Sequence, residues 1–148
     1  DVTVFIPASF PNSVRNMISD KGAQYRDVAG AEKISDFAWS TGEFSGPPKE
    51  QSLMIHSRKG LIVMTGCAHP GIVRIVRKAK ELTGKEDVYL VVGGFHRPPG
   101  STVQEFRELE GEKVAPTHCT GDEVRNAFAE EYGGDFVEYG VGKIIEIR

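Results

Sequence analysis

Three of the four histidines in this 148-residue chain sit in the same local pattern: an apolar run, one or more small residues, the histidine, then the start of a helix. They occur in Leu61-Ile-Val-Met-Thr-Gly-Cys-Ala-His69-Pro-Gly, in Val88-Tyr-Leu-Val-Val-Gly-Gly-Phe-His96 and in Val114-Ala-Pro-Thr-His118-Cys-Thr-Gly. Strands followed by helices that pack back onto one sheet leave their carboxyl ends on a common edge, where α/β proteins place ligands. If the three runs are neighbours in a sheet, His69, His96 and His118 converge, and three converging imidazoles make a metal site. The metal expected there is a divalent transition metal, zinc first, with iron or manganese as alternatives. Zinc at a catalytic site takes three protein ligands and leaves a fourth position to water. That water is acidified toward neutrality and, as hydroxide, attacks an ester, amide or phosphate.

A histidine at a strand end also serves as a polar residue tied to a loop. That plainer role is assigned to His56, in Leu53-Met-Ile-His-Ser-Arg-Lys-Gly60, as a strand residue near a hairpin turn. Cys67 and Cys119 each lie within two positions of a patterned histidine. They are open to ligand roles or to small buried packing, the commoner use of a free cysteine. Two cysteines do not make a secreted disulfide scaffold. No Gly-x-Ser-x-Gly nucleophile elbow is present. The Gly93-Gly94 pair is expected to let the backbone approach the metal pocket closely.

These residues need elements to hold them. Residues 1–7 alternate apolar and polar and read as a strand, and 11–22 as a short helix closed by Gly22. Residues 25–28 and 36–41 are weaker strands. Residues 51–57 and 61–65 form a hairpin turning at Arg58-Lys59-Gly60. Ile72, Val73, Val76, Ala79 and Leu82 have helical spacing, which leaves Arg74, Arg77, Lys78 and Lys80 as a solvated face. The apolar run 88–92 suits a strand covered on both sides. Ser101 is placed to cap a helix through Leu109, and Thr120-Gly-Asp-Glu123 has capping-box spacing ahead of Val124, Ala127 and Phe128. Asp122 and Glu123 are candidate acids beside His118, although helix starts favour carboxylates in any case. Residues 136–139 and 143–147 read as two closing strands around Gly140 and Gly142.

Net charge is −3 and no basic block interleaves with aromatics, so no nucleic-acid surface is expected. No apolar stretch approaches the ~20 residues of a membrane span, and no secretory leader is recognisable. A cytoplasmic single domain over residues 1–148 is expected, cut from something longer because the first residue is not Met.

The motifs Thr65-Gly-Cys-Ala-His69-Pro-Gly-Ile, Val92-Gly-Gly-Phe-His96 and Pro116-Thr-His118-Cys-Thr-Gly, with Gly140-Val-Gly-Lys-Ile-Ile, resemble the C-terminal half of metallo-β-lactamase-fold hydrolases. The nearest branch is that of the dihydropterin ribofuranosylaminobenzene phosphate synthase-like proteins, linked to methanopterin biosynthesis. The resemblance implies an α/β fold, half of an αβ/βα sandwich with a mixed sheet and helices on one face. It also implies that His69 ligates a first metal and His118 a second. The N-terminal His-x-His-x-Asp-His motif of that superfamily is absent, and Gly93-Gly94-Phe95-His96 stands where a bridging acid belongs. His96 therefore either substitutes as a ligand or acts catalytically, touching substrate beside the metals.

The sheet face that meets the other half would be bare, so a partner is expected: an N-terminal half or a second copy of the chain. Three functions follow. The first is a metal-dependent hydrolase active only with its other half. The second is a synthase condensing a pterin with an aminobenzene ribose phosphate, its phosphate held near the helix after Thr120 with Arg97 or Arg74. The third is a non-catalytic interaction module.

Overall fold

The computed structural model describes residues 2–147; Asp1, included above in the first strand, and Arg148 lie outside them. Strand β1 (Thr3–Pro7) pairs in parallel with β2 (Gln24–Val28) across helix α1 (Asn12–Asp20). Arg15 ties this unit together, reaching Asp27 and the carbonyl oxygens of Phe10 and Ala8. The main sheet contains β3 (Glu32–Lys33), β4 (Ala38–Ser40), β5 (Leu53–Ser57), β6 (Gly60–Met64), β7 (Val88–Gly94) and β8 (Lys113–Thr117), in that spatial order. Pairing is antiparallel from β3 to β6 and parallel from β6 to β8. Helix α2 (Ile72–Thr83) connects β6 to β7, α3 (Thr102–Glu108) connects β7 to β8, and α4 (Asp122–Tyr132) follows β8. The last three strands therefore end on one edge, as the histidine pattern requires.

Side-chain alternation builds two layers on this sheet. On one face Leu61, Val63, Val88, Val91 and Val114 pack against Ile72, Ile75, Val76 and Ala79 of α2, Phe106 of α3 and Phe128 of α4. Phe95, Phe106 and Phe128 meet ring to ring at 5.5–5.8 Å. On the other face lie Ile62, Leu90, Val92 and Ala115. A register shift opposite Leu61 and Ile62 leaves Tyr89 as an extra residue in β7. The unbroken run 88–92 thereby serves both faces, which fits its lack of alternation.

Three expectations need correction. Ser101 and Thr120 make no side-chain cap; α4 starts from Gly121 at φ +85°, while the Thr120 hydroxyl donates to Thr117 O and accepts from the Phe95 N–H. That hydroxyl is drawn into the sheet edge instead of the helix. Residues 136–147 form no strand: one bridge joins Phe136 to Val114, after which the chain turns at Gly140 and Gly142 without a partner ladder. This tail also changes the picture of a bare face. Val137, Tyr139 and Ile145 lie over it, and Ile62, Leu90, Val92 and Ala115 are no more than 6% exposed. Val141 and Ile144, on the same tail, remain fully open to solvent. Among the described residues no helix is long and apolar enough to cross a membrane.

Candidate metal centre

His69, His96 and His118 occupy the loops after β6, β7 and β8. The His69 and His96 rings stand 4.1 Å apart, centroid to centroid. His118 joins them only through the cysteines. Donor atoms of Cys67, His69 and His96 lie within 4.8 Å of one another, and so do those of Cys67, His118 and Cys119. Cys67 is common to both groups, with its Sγ 2.9 Å from Cys119 Sγ and 3.7 Å from His96 Nδ1. The edge thus holds one linked cluster of two thiols and three imidazoles. His56 is elsewhere, in β5 beside Trp39, as an ordinary strand residue.

Backbone constraint concentrates here. Ala68, His96 and Arg97 adopt left-handed conformations at φ +58°, +49° and +43°, and among the described residues only Glu110 is a further non-glycine example. Such positions cost on the order of 1–3 kcal/mol each and cluster at functional sites. The glycine pair permits two close approaches: a Cβ on Gly93 would lie 2.2 Å from Thr65 O in the neighbouring segment, and one on Gly94 2.5 Å from His118 Cε1 and 2.6 Å from Cys119 Sγ.

Glu50 was not legible in the sequence, being 19 positions from its partner in a Pro-rich loop. Its carboxylate accepts from the His69 backbone N–H at 2.8 Å, and its other oxygen lies 2.7 Å from His69 Nδ1. A carboxylate oxygen accepts, so Nδ1–H faces Glu50 and Nε2 is the nitrogen left to meet a metal. Burial, followed by the Cys119 thiol and the Glu50 charge, pushes the Cys67 thiol up to about 11. Imidazole and thiol donors on one edge, with a carboxylate behind one imidazole, fit a transition metal.

A cleft of about 880 Å³ opens beside the histidine pair, walled by Phe44 and Phe95 and edged by Arg74, Arg77, Lys78 and Arg97. Three cations assigned to a solvated face therefore line this cleft; Lys80 does not, bonding Glu86 and Leu109 O. A second cleft, about 500 Å³, joins His96, Arg97, His118, Cys119 and Asp122. Asp122 and Glu123 occupy the first turn of α4.

The mixed sheet with α2, α3 and α4 packed on one face matches that of a β-lactamase-fold neighbour. The chain is similar to the crystal structure of a metal-dependent hydrolase of the beta-lactamase superfamily, with TM-score 0.75 and 26% identity over 92% of this chain and 62% of that one. In sequence it is 41% identical, over 66% of its length, to the 7,8-dihydropterin-6-methyl-4-(beta-D-ribofuranosyl)-aminobenzene-5'-phosphate synthase of Methanocaldococcus jannaschii. It is 32% identical, over 60% of its length, to an uncharacterized protein of the same organism. The matches span only 35% and 34% of those relatives. No family model matches the chain.

Proposed function

We propose that the chain is the C-terminal half of a metal-dependent hydrolase, residues 1–148 forming one domain that works with an N-terminal half bearing the His-x-His-x-Asp-His motif. The observation that carries this reading is the Glu50-oriented His69 standing against His96 at the carboxyl ends of parallel strands, in a chain similar to a metal-dependent hydrolase. His69 and His118 would hold divalent metal ions, with His96 as a further ligand or as the group that contacts substrate. A metal bound there supplies Lewis acidity and an acidified water.

The chain's own residues do the rest. Glu50 fixes the His69 tautomer, and the left-handed backbone at His96 and Arg97 turns both residues toward the cleft they line. Arg74, Arg77 and Arg97 line the cleft together with Glu43, Glu81 and Glu105, so it offers a small molecule charged groups of both signs. The open Val141 and Ile144 are where the other half would gain apolar contact.

In an assembly of both halves, His69→Ala and His118→Ala should lose metal and turnover together. Turnover unchanged by either replacement would overturn the reading. A second reading, a synthase joining a pterin to an aminobenzene ribose phosphate, is favoured by the 41% identical relative and the arginine-edged cleft. It predicts binding of phosphorylated aryl ribosides, and absence of that binding removes it.

A further inference from the structure

We infer that Cys67, Cys119 and His118 form a thiolate-rich site for one soft divalent metal ion, complete within this chain. It deepens the hydrolase reading, on which it rests for the role of His118 as a ligand, by adding two sulfur donors beside that histidine, but it requires no hydrolysis. The donor atoms of these three residues lie within 4.8 Å of one another. Zinc–sulfur bonds of about 2.3 Å in a tetrahedron set two sulfurs roughly 3.8 Å apart. The Sγ atoms, now 2.9 Å apart, reach that spacing by each retreating under half an ångström, within the play of a χ1 adjustment.

Two independent features prepare the place. Gly94 lacks the Cβ that would lie 2.5 Å from His118 Cε1 and 2.6 Å from Cys119 Sγ, so the backbone leaves room for imidazole and thiol side by side. The His96 N–H also points at Cys119 Sγ, 3.2 Å away, a donor suited to a sulfur carrying negative charge. His118 and Cys119 also line the cleft shared by His96, Arg97 and Asp122, from which water or substrate would complete the ligand set. Thiolate donors select zinc or another soft ion over magnesium or calcium. This group holds two thiols and one imidazole, against one thiol and two imidazoles for the Cys67, His69 and His96 group, with which it shares Cys67.

The test is a cobalt(II) titration of the reduced chain under anaerobic conditions, with free thiols counted beforehand. The expected result is one equivalent bound, a near-ultraviolet thiolate-to-cobalt charge-transfer band, intense visible bands of tetrahedral cobalt, and displacement by zinc. Cys67→Ser and Cys119→Ser, matched to wild type by circular dichroism, should each weaken binding on the order of 100-fold and reduce the charge-transfer intensity. His69→Ala should leave this spectrum intact, although it abolishes turnover under the hydrolase reading. Failure here and failure of that reading are thus distinguishable. A cobalt spectrum without sulfur ligation, equal binding by the serine variants, or no binding by the fully reduced chain would overturn the proposal.

Discussion

Replacing Gly94 with alanine probes how tightly the carboxyl edge of the sheet is built. The new methyl would stand 2.5 Å from His118 Cε1, 2.6 Å from Cys119 Sγ and 2.8 Å from Gly66 O, against an ordinary limit of 3.4 Å. His118 must therefore withdraw by about 0.9 Å, and the Gly66 carbonyl is backbone with little freedom to follow. Overpacking of this kind costs roughly 1–3 kcal/mol. The backbone of Gly94 is outside the left-handed region, so alanine also recovers about 0.4–1 kcal/mol of unfolded-state entropy. The net expectation is a loss centred on ~1.3 kcal/mol, or about 3–5 °C in Tm for a chain of this size. Gly66→Ala is the matched control, because a Cβ there meets nothing within 4 Å and the same entropy term leaves it neutral or slightly stabilised. Urea unfolding of both variants, with the His118 ring resonances followed by NMR, measures both effects. Equal stability of the two variants, with unmoved His118 resonances, would refute the tight packing of this edge.

Other expectations follow from single contacts. Glu50→Gln keeps one acceptor for His69 but sets an amide N–H2 against the second donor, so metal affinity on the His69 side should fall 10- to 100-fold, as is usual for groups behind a ligand, in a competition titration of the two-half assembly. The Tyr132 hydroxyl has no hydrogen-bond partner among the described residues, and Tyr132→Phe should raise stability at pH 7 by about 1 kcal/mol in urea denaturation. Burial pushes that phenol up to about 12, above the usual tyrosine value of about 10. The unfolded chain then releases the proton first, so overall stability falls as pH rises from about 10 to about 12, and Tyr132→Phe should flatten this fall. Phe128→Ala, removing a fully buried ring that packs on Phe95 and Phe106, should cost about 3–5 kcal/mol in the same measurement.

The placement of the histidines was legible because local sequence settles it: β-branched runs that end in small residues, followed by helical periodicity, fix where each strand stops. The hairpin at Arg58-Lys59-Gly60 was legible for the same reason, Ser57 pairing with Gly60 across it. What escaped depends on contacts distant in sequence. Glu50 meets His69 only because the loop before β5 folds over the edge, and no spacing encodes that. Arg74, Arg77 and Lys78 looked solvated because periodicity tells which face of a helix leaves the core, not whether a cleft borders it. The tail 136–147 has strand-like residues, yet a strand exists only where a neighbour offers a ladder, and here Val114 offers a single bridge. Thr120 had the spacing of a cap but found a nearer donor in the Phe95 N–H.

The measurement closest to the central claim is an anomalous-difference map at the metal absorption edge, from crystals of this chain together with a half carrying His-x-His-x-Asp-His. The account predicts a peak about 2.0–2.1 Å from the Nε2 atom of His69, with Glu50 still on Nδ1. Density that leaves His69 uncoordinated, or metal bound away from the ends of β6, β7 and β8, would contradict it.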